Sequence, residues 1–163
     1  MPEGVTIKER IERQVAVNLA TITGVVSVKR WDGRDAVSLV PYQAFTIVDD
    51  QKITEGPGGS IGWHEVTLSL SAGVLLLHSA ADATESSAAV LNRWIGRLLI
   101  NLTADPMLIE AVTGVRLVTD VRITGTRAPD WDDGRFAAVV DCEIDYRTLR
   151  TNPCQGIVAQ VNE

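Results

Sequence analysis

Arg135-Phe136-Ala137-Ala138-Val139-Val140-Asp141-Cys142-Glu143-Ile144-Asp145-Tyr146-Arg147-Thr148-Leu149 alternates between two chemistries. Phe136, Ala138, Val140, Cys142, Ile144 and Tyr146 point one way, and Asp141, Glu143, Asp145 and Arg147 point the other. A period of two describes a strand with one face on a core and one face wet. The chain then runs through Arg150-Thr151-Asn152-Pro153, a polar segment ending in a turn signal.

Working outward, Ala128–Gly134 reads as the loop of a hairpin whose first arm is a long strand from Val115 to Arg127. Val115, Leu117, Val121 and Ile123 are apolar there, against Arg116, Asp120, Arg122 and Thr124. Before it, Ala88, Leu91, Ile95, Leu98 and Leu102 recur at helical spacing, with Trp94 and Leu99 widening the stripe. Asp82 with Glu85 resembles a capping box for this helix. Asp105-Pro106 ends it, and Met107–Ala111 reads as a helical turn. A second amphipathic helix opens the chain on Ile7, Ile11, Val15, Leu19 and Ile22, with Lys8, Glu9, Arg10, Glu12, Arg13 and Gln14 on its polar side. Gly24 suits its C-terminal stop.

Three further strands fill the first half. One covers Val25–Trp31 and a second Ala44–Val48, continuing through Asp49-Asp50 towards Ile53. The third alternates His64, Val66, Leu68 and Leu70 with Trp63, Glu65, Thr67 and Ser69, and extends to Leu77 past a bulge near Gly73. Gly56–Gly62 holds four glycines and a proline, which suits neither a helix nor a central strand. The order predicts an α+β fold: a mostly antiparallel, twisted sheet, two main helices on one face, and a long C-terminal β-hairpin. Repeated parallel crossovers are not expected, which excludes Rossmann and barrel folds.

With 163 residues the chain is expected to form one domain. A chain of that size has core enough to need neither disulfides nor metal. Its net charge of −6 argues against nucleic-acid binding. The basic cluster Lys29, Arg30 and Arg34 reads as a solvated strand end. Cys142 and Cys154 do not make a disulfide framework and read as free thiols of a reducing cytosol. Met1-Pro2-Glu3-Gly4 is unlike a signal peptide. The longest apolar run, Ala72–Leu77, is too short to span a membrane.

Candidate chemistry is sparse. The glycine-rich loop lacks the Gly-Lys-Ser/Thr ending of a phosphate loop. Asp130-Trp131-Asp132-Asp133-Gly134 has its glycine one position short of an EF-hand and Asp141 in place of the closing glutamate, so it reads as a solvated loop closed by Asp133-Gly134. His64 and His78 have no partner at metal-ligand spacing, and His64 falls on an apolar strand face. None of Ser69, Ser71, Ser79, Ser86 and Ser87 sits in a nucleophile elbow. Asp141, Glu143 and Asp145 stand about 7 Å apart along one strand face, which fits an acidic ladder paired with Arg116 or Arg122. A glycosidase pair would face across a cleft. Trp94 belongs to the helix core, whereas Trp31, Trp63 and Trp131 fall at strand or loop edges, where tryptophan serves interfaces or ordinary partial burial. No cofactor or metal is expected.

The opening Ile7, Arg10, Ile11 and Val15, the Leu19-Ala20-Thr21-Ile22-Thr23-Gly24 ending, and the closing Asp145-Tyr146-Arg147-Thr148 to Asn152-Pro153 resemble tail terminator proteins of long-tailed bacteriophages, the minor tail proteins of the U type. The resemblance implies an α+β subunit without catalytic residues, found in the virion tail and assembled in the bacterial host cytoplasm. It implies a hexameric ring that caps the tail tube, with the tube protein and the head–tail connector or neck protein as partners and no membrane or sequence-specific nucleic acid. Tyr146, Thr148 and Pro153 are the positions that carry over. Cys154 stands where many relatives have an aromatic residue.

The expected interface therefore comprises Gly58, Gly59 and Trp63 near the glycine loop, Trp131 and Asp132 in the hairpin loop, Asp141 and Glu143 on the acidic face, and Tyr146, Thr148 and Pro153 at the end. The alternatives are another neck or head-completion protein or, in a different class, a small α+β ligand-binding domain or enzyme using Asp141, Glu143 and His64.

Overall fold

The computed structural model describes residues 4–31, 38–55, 62–77, 86–131, 134–149 and 152–156. In chain order the elements are α1 (Ile7–Ala20), β1 (Val28–Trp31), β2 (Ala44–Glu55), β3 (Trp63–Leu77), α2 (Ser87–Ala104), β4 (Asp120–Arg127), β5 (Arg135–Leu149) and β6 (Asn152–Gly156). The strands form one open sheet in the order β1-β2-β3-β5-β4, with β6 pairing β5. This is the expected α+β class. All pairings are antiparallel except β1 with β2, which is parallel.

β3 and β5 pair in unbroken register from Trp63↔Leu149 to Leu77↔Arg135 and form the centre of the sheet. Their even-numbered residues, from Val66 to Leu76 and from Phe136 to Tyr146, join the main core with Ile7, Ile11, Val15 and Leu19 of α1 and Trp94, Leu98 and Leu102 of α2. Both helices thus lie on one face, as their apolar stripes require. Thr6 Oγ1 caps α1 by accepting from Glu9 N at 3.1 Å. Ser86 Oγ caps α2 by accepting from Ala89 N at 3.1 Å, so the α2 cap is Ser86. Asp82 and Glu85 lie outside the described residues.

Several local readings are corrected. β3 has no shift at Gly73; that residue is glycine because a β-carbon would stand 2.5 Å from Phe45 Cζ and 2.8 Å from Ala138 O. The irregularities fall instead at Asp49 in β2 and Thr124 in β4. The strand expected from Val115 begins only at Asp120. Met107–Ala111 is not helical: Leu117 N donates to Leu108 O, and Val118 N to Met107 O, closing a small hairpin. This segment folds back on the helix layer and buries Leu108, Leu117 and Val118.

That packing reverses the reading of two α1 side chains. Arg10 and Gln14 are buried. Arg10 donates to both carboxylate oxygens of Glu110 (2.8 and 2.6 Å), and Gln14 Oε1 accepts from Ala111 N at 2.9 Å. A burial pattern periodic in sequence marks the face towards the sheet; it does not mark a flank covered by a later loop. At the other end of the chain, Asn152-Pro153 begins a short strand instead of only ending one. Proline is tolerated on an edge strand such as this.

Candidate functional site: the open face of the sheet

The face turned away from the helices has two halves. Leu39, Phe45, Leu75, Ala137 and Val139 form a small second core, with Ile47 and Trp131 packed on it. The rings of Trp131 and Phe45 lie 6.0 Å apart. Trp131 is thus half-buried in intramolecular packing.

The other half is polar, because the odd-numbered residues of β3 and β5 change from apolar to charged part-way along the strands. Ser71 is fully buried, and its hydroxyl lies 2.9 Å from Asp49 Oδ2 and 2.5 Å from Asp141 Oδ1. Arg127 Nε donates to both oxygens of Asp141, at 3.2 and 3.1 Å. Arg122 reaches across from β4 to Glu143 at 2.8 Å and to Asp145, and also bonds Asp120 of its own strand. Thr67 Oγ1 also donates to Asp145, at 2.8 Å. At the far end Arg147 pairs with Glu65 at 3.1 Å and lies over the ring of half-buried Trp63. Asp145, Arg122, Glu65 and Arg147 border a polar recess of about 230 Å³.

The expected acidic ladder is present, and its arginines are Arg122 and Arg127. Arg116 instead donates to the carbonyls of Val118 and Thr119. Arg127 was not legible from alternation. The irregularity at Thr124 shifts the parity of β4, so even-numbered Arg122 and odd-numbered Arg127 share a face. Gly125 beside that shift is the one signal available, since an isolated strand glycine marks a bulge. Asp49 joins the row for the same reason, as the extra residue in β2.

Asp141, Glu143 and Asp145 are each engaged by an arginine. Burial works to raise the Asp145 carboxyl, but hydrogen bonds from Arg122 and Thr67 outweigh it and hold it below the usual range. Hydrogen bonds to Asp145 and Glu143 raise Arg122 above the ordinary guanidinium value. A carboxylate held by a guanidinium is a poor general base. Cys142 points to the opposite face, where burial first, and Asp141 second, push its thiol up to about 12. Such a thiol is inert as a nucleophile.

Asp141 and Glu143 stand on the open face, whereas His64 stands on the helix-side face with Val66. The structure therefore does not bring Asp141, Glu143 and His64 into one site. His64 instead gathers with Tyr146, Thr148 and Pro153 around a separate cavity. Tyr146 is buried, and its phenol oxygen accepts from Gln51 Nε2 at 3.2 Å. Gly58, Gly59, Asp132 and His78 lie outside the described residues. Among the described residues no cluster of three or more His, Cys, Asp or Glu side chains is placed to hold a metal, and no helix is long and apolar enough to cross a membrane. No protein-family model matches the chain, and no curated protein matches its sequence.

Proposed function

We propose that this chain is a structural subunit of a bacteriophage tail, a tail terminator or a closely related tail-completion protein, and not an enzyme. It assembles as a ring of identical subunits, six in number, that caps the tail tube and meets the head–tail connector. The observation that carries the reading is the open face of β3, β5 and β4. Its carboxylates Asp141, Glu143 and Asp145 each engage an arginine from β4. A broad surface of satisfied charge gives orientation and selectivity to an interface. The α+β fold, an open sheet with two helices on one face, is the class that the resemblance implies. A ring closes by repeating one heterologous contact around an axis.

Mass measurement at several concentrations, with negative-stain imaging, tests the proposal. Rings, or single subunits that bind isolated tail tubes, are expected. A particle that stays monomeric and also fails to bind tail tubes overturns it. Charge reversal at Asp141 and Glu143 is expected to leave the fold intact and to alter assembly; unchanged assembly would make this face an ordinary solvated surface.

A further inference from the structure

On the helix-side face, the layer above the sheet stops short beside the first turn of α1. Ile53 of β2 is left 54% exposed there, while Val66, Tyr146 and Thr148 nearby are buried. Between them lies a cavity of about 330 Å³. Its apolar wall is formed by Ile53, Val66 and Pro153. Lys8, His64 and Thr148 bring polar groups to it. The volume lies at the lower end of the range for small-molecule sites, and an apolar wall with a few convergent polar groups is their usual chemistry.

The polar groups have donors to spare. Thr148 is only 6% exposed, and its hydroxyl has no hydrogen-bond partner among the described residues. Among the described residues the side-chain atoms sealed from solvent without a partner are Trp63 Nε1 and Asn101 Oδ1, so the Thr148 hydroxyl is open to solvent. The Tyr146 phenol accepts from Gln51, which leaves its own proton free to donate. Lys8 lies 3.2 Å from Glu12, but Glu12 is shared with Arg30 at 3.4 Å. Lys8, Tyr146 and Thr148 border the cavity with hydrogen-bond capacity left over, which a ligand's acceptor can take up. A carboxylate with an apolar body suits both parts of the cavity, with its oxygens towards the Lys8, Tyr146 and Thr148 side and its hydrocarbon towards Ile53, Val66 and Pro153.

We propose that this cavity is a binding site for a small monocarboxylate with an apolar body. The site shares Tyr146, Thr148 and Pro153 with the interface that the resemblance implies, but the proposal does not rest on the assembly reading. Octanoate is the probe, with octanol as its uncharged counterpart, titrated into the full chain while the Ile, Leu and Val methyl signals are followed by NMR. Octanoate is expected to shift the methyls of Ile53 and Val66 saturably. Lys8→Gln is expected to weaken octanoate roughly tenfold, as loss of a charge-assisted bond should, and to leave octanol unaffected. Thr148→Val, which keeps the side-chain shape, is expected to weaken octanoate several-fold with the spectrum otherwise unchanged. Absence of saturable shifts overturns the proposal. So do equal shifts at the exposed methyls of Val17, Ile100 and Val112, or equal losses of octanoate and octanol in Lys8→Gln.

Discussion

His64 and Asp141 stand on opposite faces of the same sheet. Asp141 pairs with Ser71, and Ser71 is seven residues along β3 from His64. That separation is roughly 23 Å at the strand rise. Groups so far apart, without shared partners, act independently. The stability changes of His64→Ala and Asp141→Asn should therefore add to within about 0.5 kcal/mol in the double variant. Urea denaturation of the four proteins of the cycle measures this, and a larger coupling would mean that the two faces communicate.

Arg10 and Glu110 tie the segment after α2 to α1 through an ion pair at 2.6 Å that is buried at Arg10 and partly buried at Glu110. Removing one partner strands a charge in a poorly hydrated site. Arg10→Ala is expected to cost about 3 kcal/mol. Arg10→Met combined with Glu110→Leu should recover most of that loss, because it removes both charges and keeps the volume. Equilibrium denaturation distinguishes the two variants; equal losses would show that geometry at this junction, and not charge burial, sets the cost.

Glu9 links α1 to β1. Its carboxylate accepts from Arg30 at 2.7 and 2.6 Å and from Arg13 at 2.6 Å. The Arg30 hydrogen bond, chiefly, lowers its pKa from 4.5 to about 2. A depressed acid contributes stability that is complete above its unfolded value and is lost as the folded carboxylate takes up its proton. The contribution is thus present above pH 4.5 and disappears as pH falls towards 2. Glu9→Gln should lose about 1 kcal/mol at neutral pH and flatten that part of the stability–pH curve. Thermal melts across that window check it; parallel curves for the two proteins would place the acid sensitivity elsewhere.

Gly73 is enclosed on two sides, by the Phe45 ring and by the Ala138 carbonyl. Gly73→Ala is expected to cost about 3 kcal/mol through overpacking. Phe45→Leu in the same chain should relieve only part of the strain, since the carbonyl 2.8 Å from the new β-carbon is backbone and cannot rotate away. Denaturation of the single and double variants reads this. Full rescue would show that the ring alone excludes a side chain.

Much of the architecture was legible because burial leaves a periodic trace. The alternation of Phe136 to Tyr146 and the stripes of Ile7 to Leu19 and Leu91 to Leu102 placed the two helices and the closing hairpin. The ends of elements were less legible. Val115 to Thr119 reads as strand by alternation, yet Leu117 and Val118 are both buried, because the small hairpin they close packs against α1 and into the main core. Arg10 and Gln14 read as solvent-facing until that same hairpin covered them.

By itself, then, the sequence determined the two long helices, the main strands and the apolar side of each, since those properties follow from local spacing. Tertiary structure alone decided that β1 runs parallel to β2, that single extra residues bring Asp49 and Arg127 onto the charged row, and that His64 faces a cavity with Thr148 instead of the carboxylates of β5. Each of these depends on register between strands distant in sequence. A one-residue shift in register exchanges the two faces of a strand, and no local pattern records where that shift falls.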